Sequence, residues 1–193
     1  GTITSADLVS GLQRFTDPVD KPLTYVGDGG YTFADYQTAL MALAESRGDC
    51  LAVLSTPQDL EDTSTPYRSL IEWARATLPS TRFGMVYGPW QKTTDPTLGR
   101  TVACPPDAMA IARHVIVDRT VGFWQSVAGT EYGQVNSQGA FVEFSLTELN
   151  ELYENRINPI SKDELTGSRI ILGSKNLYSK QSPLNRIYVS KTL

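Results

Sequence analysis

The sequence predicts an α/β fold: a mixed, mostly parallel sheet flanked by helices. Three observations predict it. Short apolar runs alternate with segments of helical apolar periodicity over residues 23–90. The run Cys50-Leu51-Ala52-Val53-Leu54 is apolar without alternation, as in a strand covered on both faces. Turn residues punctuate the series at Gly27-Asp28-Gly29-Gly30, Gly48-Asp49, Pro79 and Gly88-Pro89. Such a β-α-β-α-β series pairs in parallel through right-handed crossovers.

Residues 1–20 are polar and contain the turn signal Asp17-Pro18. Residues 1–10 read as a lead-in with no assigned element, and Leu12 and Phe15 are its candidate packing residues. Residues 23–26 form the first strand, closed by the glycine cluster. Residues 33–46 form a helix with Phe33, Tyr36, Leu40, Leu43 and Ala44 on one face, stopped at Gly48. Residues 50–54 form the buried strand, and 57–65 a polar loop. Thr65 caps the next helix, with Pro66 at its first position; Leu70, Ile71, Trp73, Ala74 and Leu78 carry it to Pro79. Residues 82–87 form a further strand. Asp95-Pro96 and Gly99 make a turn, and residues 101–103 a short strand.

The segment from Cys104 to Asn158 organises the rest. Pro105-Pro106 opens a helix, because proline suits the first turn. Ala108, Met109, Ile111, Ala112, Val115 and Ile116 recur at helical spacing and are expected to form its apolar face. It runs through Asp118-Arg119 to Gly122. Residues 130–139 are a polar loop, and 140–144 alternate as a strand. Ser145 and Glu148 form a capping box for a helix over 146–154. Strands follow at 169–172 and at 185–190, the last with Ile187 and Val189 facing one way. Residues 11–193 are expected to form one compact domain.

The chain has 193 residues, 40% hydrophobic and 20% charged, with a net charge of −4. That length suits one domain and allows a core without disulfide or metal. The negative balance argues against a nucleic-acid partner. No apolar run approaches the roughly 20 residues that cross a bilayer, which argues against a membrane partner. No charged-then-apolar leader is present. Cys50 reads as a small buried hydrophobe and Cys104 as a second free thiol. No Cys/His spacing fits a metal.

Each candidate chemical feature has a plain structural reading beside it. Gly27-Asp28-Gly29-Gly30 lies between a strand and a helix, where phosphates bind. It lacks the third glycine of a dinucleotide fingerprint and the Lys-Ser/Thr of a P-loop, so it reads as a turn. A small-ligand or nucleotide enzyme would use this loop with Ser55-Thr56 at the carboxyl ends of the strands. His114, the single histidine, reads as a packed or hydrogen-bonded structural residue. The acidic pairs Glu61-Asp62 and Asp163-Glu164 could do acid–base work if buried, but read as solvated surface. Trp73, Trp90 and Trp124 read as core or subunit packing. Lys175, Lys180, Arg186 and Lys191 read as a basic surface face. No catalytic, cofactor-binding or metal-ligating residue is assigned, and no cofactor.

An ordered series of short motifs resembles contractile bacteriophage tail sheath proteins. The first is Leu51-Ala-Val-Leu-Ser-Thr-Pro57, followed by Val86-Tyr-Gly-Pro-Trp90 and the turn Asp95-Pro-Thr-Leu-Gly99. Then come Pro105-Pro106, Ala110 to Ala112, Asp118-Arg119, Gly122, Trp124, Ala128, Asn150 and Ile157-Asn158. The stretches 170–177 and 187–193 complete the series, which covers most of residues 11–193. The likeness is divergent. The family's Ala-Arg-Thr-Asp is blurred into residues 114–119, and its late Trp-Gly-Ala-Arg-Thr-Leu has lost Trp and Arg. Sheaths of giant phages of the phiKZ type are the expected source.

The resemblance implies a tail sheath core-like fold and a structural subunit rather than an enzyme. It implies assembly in the host cytoplasm into a virion tail, around the tube, with contraction driving the tube through the host envelope. The implied partners are other copies of the sheath subunit and the tail tube protein. It also implies terminal arms that donate strands to neighbours. The chain begins with Gly, so it is expected to be a core fragment with both arms outside it.

Overall fold

The computed structural model describes residues 2–192. Gly1 of the lead-in and Leu193 of the last motif lie outside the described residues. A six-stranded sheet orders the molecule. Its strands are β1 (Tyr25–Gly27), β2 (Leu51–Ser55), β3 (Gly84–Gly88), β6 (Gln134–Val135), β8 (Ile157–Lys162) and β9 (Arg169–Ile171), in the order β1-β2-β3-β8-β9-β6. The first four in that order run parallel, and β9 runs antiparallel to its neighbours β8 and β6. A second, three-stranded antiparallel sheet contains β4 (Gln91–Thr94), β5 (Thr101–Cys104) and β7 (Gly139–Ala140). The mixed, mostly parallel sheet matches the expected fold class.

Helices cover both faces of the large sheet. On one face lie α2 (Ala34–Arg47), α3 (Pro66–Thr77) and α6 (Leu146–Glu154). Leu40, Met41, Ala44, Leu70, Ala74 and Leu152 pack there against Ala52, Leu54, Val86 and Ile157. On the other face, α4 (Pro106–Thr120) and α7 (Ile187–Thr192) place Ala110, Val117 and Ile187 against Leu51, Val53, Met85 and Tyr87. The strand alternation therefore feeds two cores, which is why β2 and β3 are buried throughout.

Local signals set the ends of these elements. Gly48 ends α2 at φ 73° and donates its N–H to Ala44. The Ser145–Glu148 capping box is complete, and α6 spans the expected residues. Asp95 Oδ1 accepts the Thr97 and Leu98 amides and turns the β4–β5 hairpin. Ile157-Asn158 is part of the interior strand β8. The Asn158 amide bonds both sides of a break: Nδ2 donates to Val86 O (3.0 Å) and Lys175 O (2.7 Å), while Oδ1 accepts Lys175 N. That clamp draws residues 174–177 onto the sheet, where Leu177 N donates to Gly84 O and its side chain joins the core.

Five expectations are corrected. The helix α4 forms where expected, but the face it buries is Asp107, Ala110, His114 and Val117; Val115 and Ile116 are exposed. The apolar residues nearly encircle this helix, so periodicity could not choose a face. Its two buried polar side chains take the inner one because partners await them there. Residues 185–190 are not a strand: Pro183–Asn185 is a 3-10 turn capped by Ser182, and Ile187–Thr192 is the helix α7. An I-x-V alternation over six residues is too short to decide the period. The strand expected at 140–144 is only β7, because the chain leaves the ladder after Phe141 N bonds Trp90 O. The lead-in contains α1 (Ser5–Leu12), opened by a Thr4–Asp7 capping box and packed on α2. Thr65 precedes α3, but its side chain makes no cap bond; Pro66 alone marks the start.

Replacing Ser145 by Ala is expected to cost about 1 kcal/mol, the usual loss of an N-cap. Leu152→Ala removes a fully buried side chain and is expected to cost about 2–5 kcal/mol. Urea unfolding checks both, as a lowered midpoint with unchanged slope.

Candidate functional site

The carboxyl ends of β1 and β2 face the amino end of α4, the position at which open α/β sheets bind ligands. Here two buried carboxylates occupy it. Asp28, on the glycine loop, accepts from Ser55 N (2.8 Å), Gln37 Nε2 (2.6 Å) and Gly30 N (3.0 Å). Asp107, in the first turn of α4, accepts from Gly29 N (2.8 Å) and Ser55 Oγ (3.0 Å). The loop amide that could hold a phosphate thus already holds a carboxylate from the chain itself. Gly29 and Gly30 have φ of 62° and 80°, so their glycines serve the turn. A Cβ on Gly27 would fall 2.6 Å from Asp107 Oδ2, and one on Gly30 2.7 Å from the Trp90 ring. The sequence reading of this loop as a turn is the one the geometry supports: the loop, Ser55 and α4 form a closed polar joint. Burial, and then the charge of Asp107, pushes the Asp28 carboxyl up to about 7.

Thr56, Glu61 and Trp90 form a second joint beside it. Glu61 Oε1 accepts Trp90 N (2.9 Å) and Thr56 Oγ1 (3.2 Å), and Trp90 Nε1 donates to Thr56 O (2.6 Å). Glu61 is 4% exposed, so the expectation of solvated surface fails for it and holds for its neighbour Asp62. The reason is the 3-10 turn over Gln58–Asp62, which rolls Glu61 inward under Trp90. Burial raises its carboxyl to about 7. Trp90 is buried, and Trp73 packs at the edge of the first core.

The opposite end of the sheet carries His114. It is fully buried, with Nε2 2.7 Å from the Tyr87 hydroxyl, as a structural histidine would be. Burial, and next the nearby Lys191 charge, holds it well below the usual histidine range, so the ring is neutral. The Tyr25 ring lies tilted beside it, centroids 5.5 Å apart, and its hydroxyl donates to Asp118. Lys191 Nζ donates to the other Asp118 oxygen at 2.6 Å. A cavity of about 300 Å³ opens here, lined by Tyr25, Asp49, Cys50, Phe83, Phe123 and Lys191 among others. It sits at the amino ends of the strands, away from the glycine loop.

The remaining candidates are scattered. Asp163 turns the β8–β9 hairpin by accepting Thr166 N (3.0 Å). The basic tail was expected on the surface. Instead Lys175 reaches Tyr153 O and Glu154, Arg186 reaches the Tyr153 hydroxyl, and the half-buried Lys191 turns its side chain in to Asp118; Lys180 is exposed. Helix α7 and its approach fold back onto the body, so the cations find internal partners. Trp124 is 60% exposed, edge-on to Phe123, and so is not core. No group of His, Cys, Asp and Glu among the described residues could hold a metal ion. No described helix is long and apolar enough to cross a membrane.

No protein-family model and no curated protein matches the chain. Solved structures do. The sheath protein of an extracellular contractile injection system, PVC, in the contracted state, superposes with a TM-score of 0.65 over 82% of this chain at 22% identity. The fold is that of a contractile sheath protein. A chain from the baseplate of the anti-feeding prophage, AFP, gives 0.59 over 83% at 17% identity. This sheath-like chain spans about two fifths of each, 41% and 40% of their lengths. The sheath likeness was legible from motifs that prove to be joints: the β2 end, Trp90, the Pro105-Pro106 helix start and Asn158.

Two predictions follow from the joints. Glu61 and Asp28 have folded-state pKa values above their ordinary 4.5 and 3.8. Their contribution to stability is therefore full below those values and lost as pH rises through about 7. His114 has the opposite sign, contributing above 6.5 and losing it as pH falls. Stability is expected to peak in mild acid, and Glu61→Gln to flatten the fall between pH 5 and 8, read by denaturant midpoints. A thermal-shift screen with nucleotides and sugar phosphates is expected to be flat, because the loop amides are taken; a clear rise with one of them would contradict the closed joint.

Proposed function

We propose that this chain is the core of a structural, non-enzymatic subunit of a contractile sheath, of the bacteriophage tail type. Copies would stack as rings around the tail tube, and contraction would drive that tube through a host envelope. The observation that carries the reading is the sheath fold over 82% of the chain, joined to the ordered motifs that follow the same fold. The chemistry of the body supports it. Both ends of the parallel sheet are bound up in internal hydrogen bonds, which suits a block that transmits force. The work then comes from repacking between copies, a bistable interface, and needs no bound nucleotide.

The surface supports self-assembly. Phe123, Trp124, Val115 and Ile116 are all more than a third exposed, more large apolar surface on one helix and its exit than an isolated domain needs. The inner tail tube would be the second partner, and the assembled tail the site of residence.

Electron microscopy of the full-length protein tests the reading. Tubes, or shorter and wider sleeves after acid or denaturant treatment, are expected. Discrete small particles under every condition would overturn it.

A further inference from the structure

Helix α4 is apolar on both sides. Its inner side packs on the sheet, yet Ala112, Val115 and Ile116 lie exposed on its outer side, followed by Arg119 one turn on. Residues 112, 115, 116 and 119 share one stripe at helical spacing. A helix that is apolar all round is a helix covered on all sides. Among the described residues, the exposed Arg119 side chain makes no hydrogen bond or ion pair. The outer side therefore ends in apolar surface with one cation beside it.

The complementary surface is on the same molecule. A cleft of about 570 Å³ is lined by Gln58, Asp59, Glu61, Asp62, Phe141 and Val142. Phe141 is 41% exposed, with Lys92 Nζ over its ring at 5.1 Å. Asp59 and Asp62 stand exposed at the rim. Beneath them Glu61 is 96% buried by its 4% exposure, and its Oε2 has no hydrogen-bond partner among the described residues. The two exposed carboxylates of Asp59 and Asp62 against one ammonium leave the cleft acidic, with an apolar wall.

We propose that the outer face of α4 on one copy seats on the Gln58–Asp62 and Phe141 cleft of the next copy. Val115 and Ile116 cover Phe141 and Val142, and Arg119 meets Asp59 and Asp62. The occupant is a second copy because this chain alone supplies both halves: an apolar face with a cation and an apolar cleft with carboxylates. The two surfaces share no residue, so the contact is head-to-tail, building a ring where the rotation between copies closes and a helix where it does not, and a sheath uses either. The inference rests on the sheath reading and adds the surfaces to it.

Cross-linking in solution tests it. One chain carries Thr120→Cys, next to Arg119, and another Thr63→Cys, next to Asp62; both carry Cys104→Ser, and Cys50 is buried. With a short bis-maleimide, the mixed pair is expected to link at least about tenfold more than Thr63→Cys paired with a control at Arg14→Cys. Arg119→Glu on the first chain is expected to abolish the excess, and Asp59→Arg with Asp62→Arg on the second to restore it. Circular dichroism of each variant confirms that it is folded. A mixed yield no higher than the control, or one indifferent to Arg119→Glu, overturns the interface. Tubes seen by microscopy without this cross-link would do the same and leave the sheath reading standing.

Discussion

Everything else in the molecule hangs on the buried carboxylate of Asp107. It sits in the first turn of α4, where the helix amides favour negative charge. From there it binds the β1–α2 loop through Gly29 N and the end of β2 through Ser55 Oγ. One side chain thus fixes the angle between a helix on one face and the edge of the sheet. Asp28 completes the joint by holding Gln37 of α2, on the other face. Burial first, and then repulsion from Asp107, raises the Asp28 pKa, and that rise expresses the cost of the joint. The amide, hydroxyl and side-chain donors around both carboxylates keep the joint closed without a counter-ion.

The joint turns a ligand site into a strut. Parallel sheets leave their carboxyl ends open, and many proteins fill that crevice with a cofactor. This chain fills it with Asp28, Asp107 and the Trp90 ring. At the far end, Tyr25, Asp118 and Lys191 tie β1 to the last turns of α4 and to α7. Asn158 does the same in the centre. Polar groups buried in this way specify one arrangement more than they add stability, since each one unpaired would cost more than it returns. A body held together in this way is what the proposed contraction between copies would ask of a subunit.

The elements with a clear local signal were readable from the residues alone. α6 had the reciprocal Ser145–Glu148 capping box; α2 had an apolar face and a stop at Gly48; β2 had an unbroken apolar run. The family motifs placed Asn158 and Trp90 as important without saying why. What stayed hidden depended on partners distant in sequence. α4 has apolar residues nearly all round, and only the strand ends that Asp107 and His114 meet decide which side turns in. Glu61 reads as one more acid in a polar loop until Trp90, 29 positions on, covers it. Ile187 and Val189 alternate like a strand, but Asn176 and Ser174 draw that segment into a helical turn against β3.

The central claim is that the carboxyl ends of the strands form a closed, rigid joint and not a mobile ligand loop. Native-state hydrogen exchange tests it most directly. The amides of Gly29, Gly30 and Ser55 are each bound to Asp28 or Asp107. They are expected to exchange as slowly as those of the β2 and β3 interior, opening only with the whole domain. Fast exchange at Gly29 and Gly30 beside a protected β2 would show a loop that opens by itself, and would contradict the account.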